Sequence, residues 1–320
     1  MISIVVTSYT LARLADIRDL LDSIKSQSVQ DFEVVYVVER SKELLQNVES
    51  MLDERGLSAK TVYNDTRLGL PESRNLGIKA ATGEIIGFVD DDVVLDRDWC
   101  KAAQEGFESI TGIAGATGPA YPLWVNEPLL WLPPELDWLI GCTRWVVSSQ
   151  PIEVTNVWGM NMCFLRRALD ESGRFLERSG MRNGRTVGWL GEDIELSSRI
   201  RMWGGRLLFL PGMKVLNKVY DYRMSNRYVL ERSIRAGYDR GALVSFARLL
   251  SGGTQEAGIL KSLARNLILT PSTYGRTRAN LRKLSSVSLL AASGLSVGYL
   301  MNRLGVGRTE GASDLPVDGA

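Results

Sequence analysis

Three consecutive carboxylates, Asp90, Asp91 and Asp92, follow an apolar run at 85–89. Such a run after a glycine is typical of a buried strand in a parallel sheet. Adjacent carboxylates repel one another unless a cation lies among them, and ligands of open α/β sheets bind beyond the carboxyl ends of strands. Asp90 and Asp92 face the same side of an extended segment. The pair is therefore a candidate divalent-metal site, and a solvated acidic turn is the alternative interpretation.

Composition limits the chemistry that these acids can take part in. The chain has 320 residues, 45% of them hydrophobic and 23% charged, which suits one α/β domain with an appendage. The net charge of +1 gives no reason to expect nucleic acid as a partner. With no histidine, Ser-His-Asp triads and His-ligated zinc are excluded. The three cysteines lack metal-ligand spacing and suit a reducing compartment. No signal peptide precedes the first predicted strand, so we expect a cytoplasmic enzyme domain.

Strands and helices alternate through the first part of the chain. Strands are predicted at 2–7, 32–38, 59–63 and 85–89, and helices at 14–24, 44–52 and 73–81. This alternation predicts a mostly parallel, Rossmann-like sheet flanked by helices. Further strands are predicted at 154–165, 206–211 and 214–219, with a helix from 191 through 202.

The segment 121–145 carries four prolines, and its tryptophans recur every seven residues. The prolines forbid a continuous helix before Glu135. We interpret the segment as an irregular loop with aromatic anchors. It either lines an acceptor site or contacts lipid headgroups, or else it covers the sheet.

The end of the chain has its own electrostatic character. Residues 257–309 contain eight Lys or Arg and no Asp or Glu, interleaved with apolar stretches. This pattern predicts basic, apolar helices on an anionic membrane surface, and a helical subdomain packed on the core is the alternative. We divide the chain into a catalytic domain at 1–220, a helical basic and apolar region at 221–309, and a disordered tail at 310–320.

Several short motifs in register resemble those of the family 2 nucleotide-sugar glycosyltransferases, which have the GT-A fold. Their closest likeness is to the subset of archaeal and bacterial glucosyl-dolichyl-phosphate glucuronosyltransferases. The motifs that carry the resemblance are Thr7-Ser8-Tyr9-Thr10, Glu39, Gly69, Arg74-Asn75-x-Gly77, Asp90-Asp91-Asp92, Gly159-x-Asn161 and Gly191-Glu192-Asp193.

The resemblance implies an inverting transferase that uses a nucleotide-sugar donor, expected to be a UDP-sugar, with Mg²⁺ or Mn²⁺. It implies a lipid-linked or polysaccharide acceptor and a peripheral position on the inner face of the cell membrane. The implied donor contacts are Thr7, Ser8, Tyr9, Glu39, Gly69, Arg74, Asn75, Asp90 and Asp91. The implied metal ligands are Asp90, Asp92 and Asn217. The implied base is Asp193, with Glu192 orienting the acceptor, and the implied acceptor or sugar contacts are Gly159, Asn161 and Trp189.

Two positions depart from the family pattern. Glu39 stands where an Asp that binds uracil is usual, and Asn217 stands where a metal-binding histidine is usual. An amide oxygen binds a hard cation more weakly and without the preference of imidazole for manganese. Two assignments also have structural alternatives. Arg74 either binds diphosphate, pairs with Asp91 or braces buried carboxylates, and acids such as Glu192 and Asp193 are common at helix N-termini.

Two other classes of protein compete with the transferase. A non-catalytic sugar- or partner-binding relative is the first, with Asn217 as a sign of lost activity. A nucleotidyltransferase is the second, but it needs a glycine-rich basic loop after the first strand. Residues 7–13 do not form such a loop.

Overall fold

A computed structural model describes residues 1–66, 69–129, 131–177, 181–182, 185–186, 191–247 and 278–304. Trp189, the predicted apolar stretch at 259–269 and the predicted disordered tail at 310–320 lie outside these residues.

The elements follow the predicted alternation through the first half of the chain. The strands are β1 (Ile2–Ser8), β2 (Phe32–Glu39), β3 (Ala59–Asn64), β4 (Ile85–Asp90), β5 (Val93–Leu95), β6 (Ile113–Thr117), β7 (Ala120–Trp124), β8 (Ile152–Glu153), β9 (Asn161–Leu165), β10 (Met181–Arg182), β11 (Arg185–Thr186), β12 (Arg206–Phe209) and β13 (Val215–Val219). The α-helices are α1 (Leu14–Lys25), α2 (Lys42–Arg55), α3 (Leu70–Ala80), α4 (Trp99–Ser109), α5 (Arg166–Ser172), α6 (Glu192–Met202), α7 (Asn226–Ala247) and α8 (Arg278–Arg303). Short 3-10 turns lie at Leu11–Arg13, Pro134–Leu139 and Asp221–Met224.

The central sheet has eight strands in the order β3-β2-β1-β4-β9-β6-β12-β8. The first four strands are mutually parallel, and Thr7 of β1 lies opposite Asp90 of β4. Strand β9 runs antiparallel to both of its neighbours, β4 and β6. The mostly parallel sheet that the sequence predicts is thus confirmed. The strand predicted at 154–165 is wrong in its length, since β9 begins only at Asn161.

Alternate residues of each strand face opposite sides of the sheet, so an apolar strand makes both sides apolar, and helices cover both. On β1, Ile4 and Val6 pack with the apolar face of α1, whereas Val5 packs with Ile78 of α3. All three β1 side chains are buried. The run of β-branched residues therefore forms the middle layer of a sandwich and leaves the strand ends free for polar groups.

A second, three-stranded sheet, β5-β13-β7, lies beside the end of β4. Asn217 of β13 pairs with Val93 of β5, and the amide of Lys218 donates to the carbonyl of Asp92 at 3.0 Å. These bonds place Asn217 next to the three carboxylates although 125 residues separate it from Asp92.

The helices α7 and α8 form an appendage that packs on the segment predicted as an irregular loop. Val229 of α7 and Leu284, Val287, Ala291 and Leu295 of α8 bury one apolar face against Trp131, Leu132, Leu136, Leu139 and Ile140. Strand β7 and a 3-10 turn give part of this segment regular structure. Within the described residues, α8 is the helix long and apolar enough to cross a membrane, by length and composition only.

Candidate active site

The three consecutive carboxylates have three different sets of partners. Asp90 Oδ1 accepts a bond from Arg74 Nη2 at 3.3 Å. Asp91 Oδ2 accepts one from the Ser8 hydroxyl at 2.8 Å. Asp92 Oδ2 accepts from two guanidinium groups, Arg13 Nη1 at 2.8 Å and Arg223 Nη2 at 2.7 Å. The motif is therefore not a solvated turn, since each acid is held by a separate part of the chain.

Asp91 lies in the least compensated of these environments. Burial raises the pKa of its carboxyl to about 7, the charge of Asp92 acts in the same direction, and the hydrogen bond from Ser8 opposes them. Because Ser8 gives its hydroxyl hydrogen to Asp91, Tyr36 must donate in the 2.8 Å contact with Ser8. A chain of hydroxyls therefore fixes Asp91 to β1 and β2.

Arg74, on α3, connects the end of β4 to the start of α6. Its side chain is 3% exposed, and Nη1 donates to Glu192 Oε1 at 2.7 Å. Nη2 donates to Asp90 and, at 3.0 Å, to the carbonyl of Gly159. The guanidinium group also lies over the ring of Phe175. Arg74 therefore braces Asp90 and Glu192, which is one of the three alternatives that the sequence left open.

Asp193 lies at the amino-terminal turn of α6 with both carboxylate oxygens held by backbone amides. Oδ2 accepts from the amide of Gly159 at 2.9 Å and Oδ1 from that of Ile194 at 2.9 Å. Gly159 has little room for a side chain, because an added Cβ would lie 3.2 Å from Arg74 Nη2. Burial raises the pKa of Asp193 to about 6, the charge of Glu192 adds to this, and Arg74 opposes it. A carboxylate with this pKa accepts a proton efficiently near neutral pH.

The predicted nucleotide-binding residues line the carboxyl ends of β1 and β2. Thr7 and Ser8 end β1, and Tyr9 follows with 57% of its surface exposed. Glu39 ends β2 and is buried, and its Oε2 accepts from the amide of Gly69 at 2.8 Å. Gly69 has a φ of +143°, a conformation that disfavours side chains. The exposed ring of Tyr9 is the one of these groups that is free to stack on a base.

Two predicted site residues instead hold the backbone. Asn161 is fully buried, and its side chain accepts from Trp99 Nε1 at 2.8 Å and donates to the carbonyl of Met213 at 2.7 Å. Both polar ends of the Asn161 side chain are thus used inside the core, and its contact with the acceptor or sugar stays a prediction. The amide of Asn75 exchanges two hydrogen bonds with the backbone of Phe175, at 2.8 and 3.1 Å.

The residues predicted to bind a metal present oxygen donors of the right chemical kind. Nδ2 of Asn217 donates to the carbonyl of Gly141 at 2.8 Å, while its buried Oδ1 has no hydrogen-bond partner among the described residues. The side chain of Asp90 is 39% exposed, whereas Asp92 is buried. In the described part of the chain no three His, Cys, Asp or Glu side chains cluster as ligands. Carboxylate and amide oxygens are the donors that a hard divalent cation prefers, so Asp90, Asp92 and Asn217 are chemically suited to hold one.

Arg13 and Arg223 are site residues that sequence reasoning missed. Arg13 lies at the end of the 3-10 turn after β1, and Arg223 lies in the 3-10 turn after β13. The sequence offers one signal for each, namely that both follow a strand end that carries predicted site residues. Their convergence on Asp92 depends on contacts between residues 79 and 131 positions apart.

Solved structures with similar coordinates identify the fold. A mannosyltransferase from Pyrobaculum calidifontis, solved with GDP-Man and Mn²⁺, matches with a TM-score of 0.55 at 18% identity, covering 95% of this chain and 79% of that one. Residues 1–349 of TarS from S. aureus, solved with UDP-GlcNAc, match with a TM-score of 0.52 at 16% identity over 95% and 92% of the two chains. The chain has the GT-A fold.

Sequence comparison identifies the family within that fold. The model of glycosyl transferase family 2 matches residues 3–173, more than half of the chain. The protein belongs to this family. A glucosyl-dolichyl phosphate glucuronosyltransferase of Haloferax volcanii is 26% identical over 75% of this chain and 76% of its own length. An uncharacterized glycosyltransferase of Haemophilus influenzae is 30% identical over 53% of this chain and 54% of its own.

Proposed function

We propose that the protein is an inverting glycosyltransferase that moves a sugar from a UDP-sugar to a lipid-linked or surface-glycan acceptor. The observation that carries this proposal is the brace formed by Arg74. It holds Asp90, at the donor end of the sheet, and Glu192, beside the candidate base, on one guanidinium group. The candidate general base and the part of the site that would hold the leaving group are therefore kept at a fixed distance from each other.

Asp193 is the general base of the proposed reaction. The acceptor hydroxyl oxygen attacks the anomeric carbon and gives its proton to Asp193, while the bond to the diphosphate oxygen breaks and its electron pair leaves with the nucleotide. Attack from the face opposite the leaving group inverts the anomeric configuration. The two backbone amides on Asp193 fix its orientation, and Glu192, which Arg74 holds, orients the acceptor.

The donor lies over the carboxyl ends of β1, β2 and β4. We assign base stacking to Tyr9, hydrogen bonding of the base to Glu39, and contacts with the nucleoside to Thr7, Ser8, Asp90 and Asp91. A bound Mg²⁺ or Mn²⁺ at Asp90, Asp92 and Asn217 would supply positive charge to the leaving diphosphate.

The acceptor class and the membrane location rest on α8 and on the relative from Haloferax volcanii, whose name specifies a dolichyl phosphate acceptor. One face of α8 packs on the protein, and the other exposes Leu289, Val297 and Leu300. Exposed Arg282, Lys283 and Arg303 lie near the two ends of this face. An apolar face flanked by cations suits an anionic membrane surface, and we place the enzyme on the inner face of the cell membrane.

A donor screen tests this function. Purified full-length protein is incubated with a panel of UDP- and GDP-sugars, with Mg²⁺ or Mn²⁺, and with polyprenyl-phosphate-linked sugars in detergent as acceptors. Nucleotide release that depends on acceptor, with a glycolipid product of higher mass, is the expected result. If nucleotide sugars bind but none is turned over with any acceptor, the non-catalytic binding relative is the better account.

A further inference from the structure

Two arginines from distant parts of the chain meet on a single carboxylate oxygen. Arg13 Nη1 and Arg223 Nη2 lie 2.8 and 2.7 Å from Asp92 Oδ2. The side chains of Arg223 and Asp92 are 10% and 6% exposed, whereas that of Arg13 is 22% exposed. Two guanidinium groups carry more charge than Asp92 alone, and the charge of Arg13 also acts on the neighbouring carboxylate of Asp91.

The surroundings of Arg223 leave part of its hydrogen-bonding capacity unused. Nη1 donates to the carbonyl of Ile140 at 2.8 Å, which fixes the plane of the guanidinium group. Its Nε is buried and makes no hydrogen bond to the described residues. A buried donor without a partner costs about 1–3 kcal/mol. In the same cluster, Oδ1 of Asn217 is also buried without a partner there.

Arg13 also contacts a hydrogen-bond network around Asp16, and this network does not depend on Arg13. Arg13 Nη1 contacts Asp16 at 3.1 Å, but Asp16 also accepts from Lys218 at 2.8 Å and from the Tyr220 hydroxyl at 2.6 Å. The guanidinium group lies over the Tyr220 ring. Asp16 thus keeps two other partners if Arg13 turns away, and Arg13 is free to exchange Asp92 for another anion.

We propose that Arg13 and Arg223 bind the diphosphate of the donor and neutralise it as the leaving group. This inference rests on the proposed function and assigns two residues to its donor site. When the donor binds, the two guanidinium groups exchange the Asp92 oxygen for phosphate oxygens, and Asp92 becomes available to the metal. The planar, always charged guanidinium group suits this exchange, because it pairs equally well with carboxylates and phosphates. As the sugar departs, the electron pair left on the phosphate oxygen faces these two fixed positive charges.

Nucleotide binding by variants tests the assignment without relying on turnover. UDP and uridine are titrated into the wild type, Arg13→Gln and Arg223→Gln by calorimetry, with Mg²⁺ and with EDTA. GDP and guanosine are run in parallel because the base is part of the proposal. Arg227→Gln is the matched control, since Arg227 is 89% exposed and its partner in the described part of the chain is Glu231 on its own helix. Arg13→Lys keeps the charge but not the planar fork, and thermal melting checks that each variant is folded.

We expect each glutamine variant to bind UDP roughly ten- to a hundredfold more weakly, the usual effect of losing a hydrogen bond to a charged group. Uridine binding should not change, Arg13→Lys should be intermediate, and Arg227→Gln should match the wild type. The assignment would be overturned if both glutamine variants kept the wild-type preference for UDP over uridine, or if their affinity fell equally for the two ligands. If the wild type binds neither UDP nor GDP, the proposed donor class is wrong. If the wild type binds UDP and the variants bind it equally well, the assignment of Arg13 and Arg223 is wrong.

Discussion

Replacing Arg74 with Met tests whether the brace that connects the two halves of the candidate site exists in solution. Methionine keeps most of the apolar stem but removes the contacts to Glu192, Asp90 and the carbonyl of Gly159. Glu192, whose side chain is 11% exposed, then keeps a buried charge without its 2.7 Å partner. Breaking such a buried pair costs about 3–5 kcal/mol. The contact to Asp90 adds little, because that carboxylate is more than a third exposed.

The assay is urea denaturation followed by tryptophan fluorescence at pH 7.5. With an m-value of about 3 kcal/mol per molar urea, the expected loss moves the transition midpoint down by about 1–2 M. Arg167→Met is the matched control, since its pair with Glu171 is exposed and helical, and it should lose less than about 1 kcal/mol. If Arg74→Met loses no more stability than Arg167→Met, then the three contacts do not form a brace and the fixed spacing inferred from them fails.

Three further predictions concern the base, the metal and the membrane. Asp193 must be deprotonated to accept a proton, so the transfer rate should rise through about pH 6 and level off above it. The charged groups that tune the pKa of Asp193 are Glu192, Arg74 and, from α7, Asp239. A transfer rate that falls as the pH rises through 6 would exclude Asp193 as the base. Asn217→His should bind Mn²⁺ more tightly, as measured by electron paramagnetic resonance of free Mn²⁺, because imidazole is the better ligand for a transition metal; an unchanged titration would place Asn217 outside the metal's ligands. Exchange of the exposed Leu289, Val297 and Leu300 for Gln should release the protein from anionic liposomes in sedimentation assays, whereas equal sedimentation would place the membrane contact elsewhere.

Local patterns made the first half of the fold predictable. The strands β1 and β4 are evident from sequence, because Ile4, Val5 and Val6 in β1 and the residues 85–89 before Asp90 are apolar or glycine. A strand's direction has no such local signal. Strand β9 has the same kind of apolar sequence as the parallel strands of the sheet, but it runs antiparallel to both of its neighbours, β4 and β6. The predicted start of this strand is also too early.

The position of a candidate site residue was predictable where it lies at the end of a local element, as Asp193 does at the start of α6. It was not predictable where the partners come from distant segments. Asn161 carries a polar side chain beside a predicted site motif, but the tertiary fold turns it toward Trp99 and the core. Arg13 and Arg223 lack a motif, and only the packing of β13 beside β5 brings the second of them to Asp92.

The most direct test of the central claim compares wild type and Asp193→Asn with the donor and acceptor that the screen identifies. Asparagine keeps the size of the side chain and one oxygen acceptor but cannot take up the acceptor's proton. The account predicts that the variant binds the nucleotide sugar with wild-type affinity by calorimetry while transfer falls at least about a hundredfold, the usual contribution of a general base. Transfer by Asp193→Asn at a rate close to that of the wild type would contradict it.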